Sequence, residues 1–158
     1  MSNEIKLRGV EAYDLPIFFE HQMDPDATRL AAFPSRERDA FMAHWQKIMN
    51  DPTVALRTIL FEDQVAGNIV SWVQDGEREI GYWLGKEYWG KGIATGALSQ
   101  FLNIVRDRPL FAHVARHNIG SMRVLEKCRF IPIRSEKSTT SADIENMDEV
   151  VLKLDIVN

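Results

Sequence analysis

The chain has 158 residues, 45% of them hydrophobic, which is enough for the core of one globular domain. A net charge of -4 at pH 7 gives no bulk electrostatic support for a nucleic-acid partner. One cysteine, Cys128, excludes an internal disulfide and fits a reducing, cytoplasmic setting; MSNEIKLRGV lacks an apolar secretory core and no apolar run reaches membrane-spanning length.

In chain order, Ile5–Val10 reads as a short strand. Asp14 is placed to cap a helix through Pro16, Ile17, Phe18 and Phe19, which Asp24-Pro25-Asp26 breaks. Ser35 is the next cap, and Phe41, Met42, Trp45, Ile48 and Met49 recur at helical spacing before Asp51-Pro52. Val54–Phe61, Val65–Gln74 and Glu79–Leu84 then form an antiparallel meander, joined by turns at 62–64 and 75–77. Thr95–Arg106 is predicted helical, Leu110–Ala115 a strand, and Ile119–Lys127 a second helix. Ile131–Arg134 and Val150–Ile156 are closing strands around a polar connection at 135–146. This order predicts one α/β (α+β) domain over 1–158, with a mixed, mostly antiparallel sheet and helices on both faces.

The most specific segment is EIGYWLGKEYWGKGIATGAL, a strand, a glycine-bearing turn and a helix start. Gly90 and Gly92 let the backbone approach a ligand without Cβ obstruction. Main-chain N–H groups at the start of a helix then favour a phosphate-bearing ligand. Taken alone, the segment reads first as a plain strand-to-helix turn.

A second segment, Asn118 to Phe130, supplies the context: Asn, a helix, then Glu126-Lys127-Cys128-Arg129-Phe130. Together, in this order, the two segments resemble the GCN5-related N-acetyltransferase superfamily, and in Trp89-Gly90-Lys91-Gly92-Ile93-Ala94 its ribosomal-protein N-terminal acetyltransferase-like branch. The family's phosphate turn begins with Gln or Arg where this chain has Trp89, and Arg129 stands where the family often has Gly. The resemblance implies the acyl-CoA N-acyltransferase fold, acetyl-CoA as co-substrate, no metal, and transfer to a small-molecule amine or a protein N-terminal amine. A homodimer is left open.

By that resemblance, amides from Trp89, Gly90, Lys91, Gly92, Ile93, Ala94 and Thr95 hold the pyrophosphate, and main chain at Trp83, Leu84 and Gly85 holds the pantetheine. Trp83 N–H is the expected donor to the thioester oxygen. Glu79 is the general base for a protonated amine, with Glu77 its nearest competitor and a solvated strand end the plainer reading. Leu125 occupies the position where many relatives carry a tyrosine acid. Ser121 is the hydroxyl left to meet the departing thiolate, and Asn118 caps its helix and holds the ligand. Cys128 reads as a buried small hydrophobe, and His113 as strand packing. Asp24 and Asp26 suit a cationic acceptor, Met23 and Phe33 an apolar wall and Arg29 a carboxylate, against a solvated loop. Two other classes stay open: a silent acyl-CoA-binding module, and a nucleotide-binding protein, although the turn lacks a Gly-Lys-Ser/Thr ending.

Overall fold

A computed structural model describes residues 4–31, 36–137 and 148–156. The strands are β1 (Ile5–Arg8), β2 (Ala55–Phe61), β3 (Gln64–Gln74), β4 (Glu77–Leu84), β5 (Leu110–Ala115), β6 (Ile131–Lys137) and β7 (Asp148–Leu154). The helices are α1 (Leu15–Gln22), α2 (Pro25–Ala31), α3 (Arg38–Met49), α4 (Ile93–Phe101) and α5 (Ile119–Lys127). The meander forms because its turns accept positive φ. Glu62 and Asp63 adopt 50° and 67°, and Asp75 and Gly76 adopt 52° and 79°.

The seven strands form one sheet in the order β1-β2-β3-β4-β5-β7-β6. Every neighbouring pair is antiparallel except β4 and β5. That parallel pair is matched only at Arg78–Leu110 and Glu79–Phe111. Beyond Glu79 the two strands part, and the sheet opens into a cleft.

Alternation sends Ile80 and Leu84, with Leu110, Ala112, Val114, Leu152 and Leu154, into the main core beneath α4 and α5. On the other face Leu15, Phe18, Phe41 and Trp45 from α1 and α3 cover Leu56, Val65 and Val70. Helices therefore occupy both faces, as the sequence order predicted.

Three expectations change. Residues 25–31 form a helix where the sequence suggested a loop, because the Asp24 carboxylate accepts from the N–H groups of Asp26 and Ala27 at 2.8 and 3.3 Å. Helix α4 ends at Phe101, five residues before the predicted Arg106, in a run of turns at 102–104. Asp14 precedes α1 but makes no side-chain cap bond to it. Its carboxylate instead accepts Arg8 Nη1 and Nη2 at 2.7 and 2.8 Å, Glu11 N–H at 2.9 Å and Thr58 Oγ1 at 2.7 Å, fully buried. Arg129 keeps the helix exit that glycine would give. It adopts φ 75°, with Arg129 N–H on the Glu126 carbonyl and Phe130 N–H on the Leu125 carbonyl, both at 3.0 Å. Ser35, Phe33 and most of the 135–146 connection lie outside the described residues.

A side chain held in the left-handed region costs roughly 1 kcal/mol. Arg129→Gly is therefore expected to raise the melting temperature by about 2–4 °C, read by thermal unfolding.

Candidate active site

The cleft is a cavity of about 620 Å³ that runs from the free edge of β4 to the start of α4 and along α5. Gly90 and Gly92 adopt φ 73° and 77°, and Gly92 is the N-cap of α4. Gly96 N–H closes the first helical bond, on the Gly92 carbonyl at 3.1 Å. The N–H groups of Ile93, Ala94 and Thr95 precede that bond and have no place in the helical ladder. The first turn of α4 carries no acidic side chain to occupy its positive end. Gly92→Val forces a branched residue into a left-handed turn and leaves those amides misaligned.

Of the expected ligand-holding residues, Trp83, Leu84, Trp89, Gly90, Gly92, Ile93, Ala94, Thr95, Asn118 and Ser121 line this cavity. Gly85 and Lys91 do not line it. Gly85 packs against the His21 ring, where a Cβ would lie 2.7 Å from the imidazole.

The side of β4 that faces the cleft is fixed by register. Gly85 N–H donates to the Ala66 carbonyl at 2.9 Å, and Trp83 pairs with Asn68. Antiparallel strands alternate between residues bonded to the partner and residues facing away. The N–H groups of Trp83 and Gly85 thus point into β3, and those of Tyr82 and Leu84 point toward the opening. The Leu84 carbonyl agrees, since it accepts Trp89 Nε1–H at 3.2 Å. The expectation that Trp83 N–H faces the thioester is corrected on this ground. Trp83 still lines the cavity, and its indole Nε1–H is buried with no partner among the described residues.

At the inner end of the cleft, Tyr82 Oη and Ser121 Oγ share a hydrogen bond of 2.8 Å. Burial pushes the Tyr82 phenol up to about 12, so it stays protonated. Ser121 N–H donates to Asn118 Oδ1 at 3.2 Å, so Asn118 caps α5 as the sequence suggested. Both hydroxyls also line a smaller cavity of about 110 Å³ between the parted strands, bounded by Gly81, Ala112 and His113.

Glu79 is buried at the apex of the opening and does not line either cavity. Its carboxylate accepts from His113 Nε2 at 3.1 Å. His113 Nδ1 lies 3.6 Å from Glu149 and 3.7 Å from Glu136. Glu149 and then Glu79 raise the imidazole to about 10, against a smaller opposing push from burial. His113 is thus an ion-pair centre as well as a strand residue.

The acceptor-side expectations divide. Asp24 is engaged in capping α2, and Asp26 is paired with both Arg29 and Lys86. Ala27, Leu30 and Ala31 of α2 wall the large cavity, and His117 Nε2 donates to the Arg29 carbonyl at 2.6 Å. Met23 is exposed. Cys128 is buried, which pushes its thiol up, and its Sγ lies 3.8 Å from the Thr95 carbonyl.

Sequence reasoning missed Tyr82 as a polar group of the cleft, and it missed Arg123 and Lys127, two lining cations on α5. Their i, i+4 spacing was the available signal.

A parted parallel strand pair beside a glycine-started helix is the architecture of the acyl-CoA N-acyltransferase fold. Residues 4–131 match the model of the acetyltransferase (GNAT) domain, and the chain belongs to that family of acetyltransferases. No curated protein sequence is matched. Among solved structures, spermidine N-acetyltransferase from Vibrio cholerae, in complex with CoA and spermine, is 16% identical with a TM-score of 0.84, over 97% of this chain and 96% of that one. The ribosomal L7/L12 α-N-protein acetyltransferase RimL, in complex with coenzyme A, is 16% identical with a TM-score of 0.81, over 98% and 96%. A GNAT-family acetyltransferase from Bacillus anthracis is 20% identical with a TM-score of 0.80, over 98% and 96%. At these identities the likeness is one of fold. Among the described residues no helix is long and apolar enough to cross a membrane.

Proposed function

We propose that this chain moves an acetyl group from acetyl-CoA to a primary amine by direct attack, the amine belonging to a small molecule or a protein N-terminus. The observation that carries this is the continuous cavity joining the amide-rich start of α4 to the unpaired edge of β4. Two structural neighbours were solved with CoA in place, which supports the same donor here.

Acetyl-CoA supplies an activated acyl carbon whose carbonyl accepts negative charge during transfer. The amides of the 89–95 turn, with Arg123 and Lys127, grip its phosphates. The outward N–H groups of Tyr82 and Leu84 hold the extended arm as an added strand does and polarise the thioester carbonyl. Glu79 takes the proton from the acceptor ammonium through a water, since its carboxylate lies behind the cavity wall. Ser121, hydrogen-bonded to a phenol that stays protonated, stands where the departing sulfur takes up a proton; this pair occupies the role left vacant by Leu125.

The test is calorimetry with acetyl-CoA, followed by CoA release on adding amines in turn. Saturable binding and amine-dependent release are expected, with Gly92→Val weakening acetyl-CoA at least about tenfold. Absence of binding to the wild type overturns the reading. Binding without release across polyamines, amino acids and peptide N-termini returns the silent-module alternative.

A further inference from the structure

We propose that His113 is a positioning residue, whose ring holds the Glu79 carboxylate fixed at the apex of the β4–β5 opening. The inference rests on the reading of Glu79 as the base.

The strand register creates the contact. Glu79 pairs with Phe111 in the last matched position of β4 and β5. His113 follows two residues later on the same face of β5, where its ring reaches back to Glu79 as the strands part. Both ring nitrogens face carboxylates: Nε2 meets Glu79 from β4, and Nδ1 meets Glu149 from β7 and Glu136 from β6. Such a ring is a cation with two donors and has no lone pair to offer. It cannot itself be the base at neutral pH. It donates to the carboxylate it touches and fixes where that carboxylate lies.

Exposure supports the division of roles. The Glu79 side chain is 7% exposed, His113 32%, Glu149 23% and Glu136 40%. A buried carboxylate needs a donor to satisfy it, and His113 is the side chain paired with it. The neighbouring charges make their own contacts. Arg134 pairs with Glu136 at 2.8 Å and acts on Glu77 and Glu79 through space without a hydrogen bond to either, and Lys153 pairs with Asp155 at 3.3 Å and lies over the Phe111 ring. Arg78 pairs with Asp107 at 3.4 Å. From α2, which packs on β5, Asp26 and Arg29 pair with each other.

Two experiments test this. In the first, NMR follows the His113 ring in ligand-free wild type and in Glu79→Gln. A midpoint shifted well up, toward about 10, and lowered by about one unit in the variant is expected. A midpoint that Glu79→Gln leaves unmoved overturns the pairing. In the second, kcat and KM are compared between wild type, His113→Asn and His113→Gln, with acetyl-CoA and an amine that the wild type acetylates. His113→Asn, whose shorter amide does not reach Glu79, is expected to lose about tenfold to a hundredfold in kcat, His113→Gln to recover part of that loss, and KM for acetyl-CoA to stay within about twofold. Equal losses in the two variants mark a merely structural histidine and overturn the proposal. The ring titration needs no His113 variant and decides where those variants do not fold. If Glu79→Gln keeps full turnover while still lowering the His113 midpoint, the base assignment falls and the positioning role falls with it, a result distinct from the failures above.

Discussion

Glu79→Gln is expected to lower kcat about 10²–10⁴-fold, the span usual for loss of a general base, while acetyl-CoA affinity stays within about twofold. The two effects separate because Glu79 stands apart from the ligand-holding wall. It does not line the large cavity, whereas the glycine turn and the outer half of β4 do. Glutamine keeps the shape and still accepts the His113 N–H, so the fold around the apex is preserved, but the amide cannot take a proton from an ammonium. A lysine-like acceptor has a free pKa of about 10, so nearly all of it is protonated at pH 7. Raising the pH deprotonates the amine in solution and is expected to recover part of the loss in the variant. Steady-state kinetics from pH 7 to pH 10, with calorimetry on the same protein, makes the check. Unchanged turnover across that range removes Glu79 from the mechanism.

The largest stability effect is expected far from the cleft, at Asp14. Asp14→Ala strips a fully buried carboxylate from Arg8, Thr58 and the Glu11 N–H at once. Breaking a buried ion pair on one side costs about 3–5 kcal/mol. Because the Arg8 side chain is 30% exposed and can turn to water, the lower end applies here. A loss of about 3 kcal/mol lowers the melting temperature of a domain this size by about 6–12 °C. Burial pushes the Asp14 carboxyl up, but Arg8, the Glu11 N–H and Thr58 outweigh it and hold it below the unfolded value of 3.8. A carboxyl lowered on folding contributes stability above its unfolded value and loses it as pH falls through the folded one. Wild type is therefore expected to lose stability below about pH 4, and Asp14→Ala to show a flatter acid limb. Urea unfolding from pH 7 to pH 3 measures both; equal midpoints at pH 7 reject the argument.

Local features were legible in the sequence. The Leu110–Ala115 strand and the Ile119–Lys127 helix fall where periodicity placed them, and the glycine turn lies at the helix start. What escaped depends on residues distant in the chain. The parallel pairing of β4 with β5, and the insertion of β7 between β5 and β6, bring Glu79, His113, Glu136 and Glu149 together across four strands. No spacing encodes that meeting. Tyr82 met Ser121 for the same reason, 39 residues apart in sequence. The Trp83 main chain was misjudged because alternation fixes which residues share a face but not which of the two sets bonds the neighbouring strand. That choice came from a single bond, Gly85 to Ala66. Arg129 shows the converse limit: a missing glycine did not alter the helix exit, since the Schellman bonds hold a residue that is locally unfavourable there.

The short run shared by β4 and β5 has a mechanical consequence. The sheet is two leaves on one narrow hinge, at Arg78–Leu110 and Glu79–Phe111, and the missing rungs beyond it are the ones an elongated guest would supply. If acetyl-CoA fills the gap, deuterium uptake at Tyr82 and Leu84 is expected to slow, together with uptake on the facing leaf.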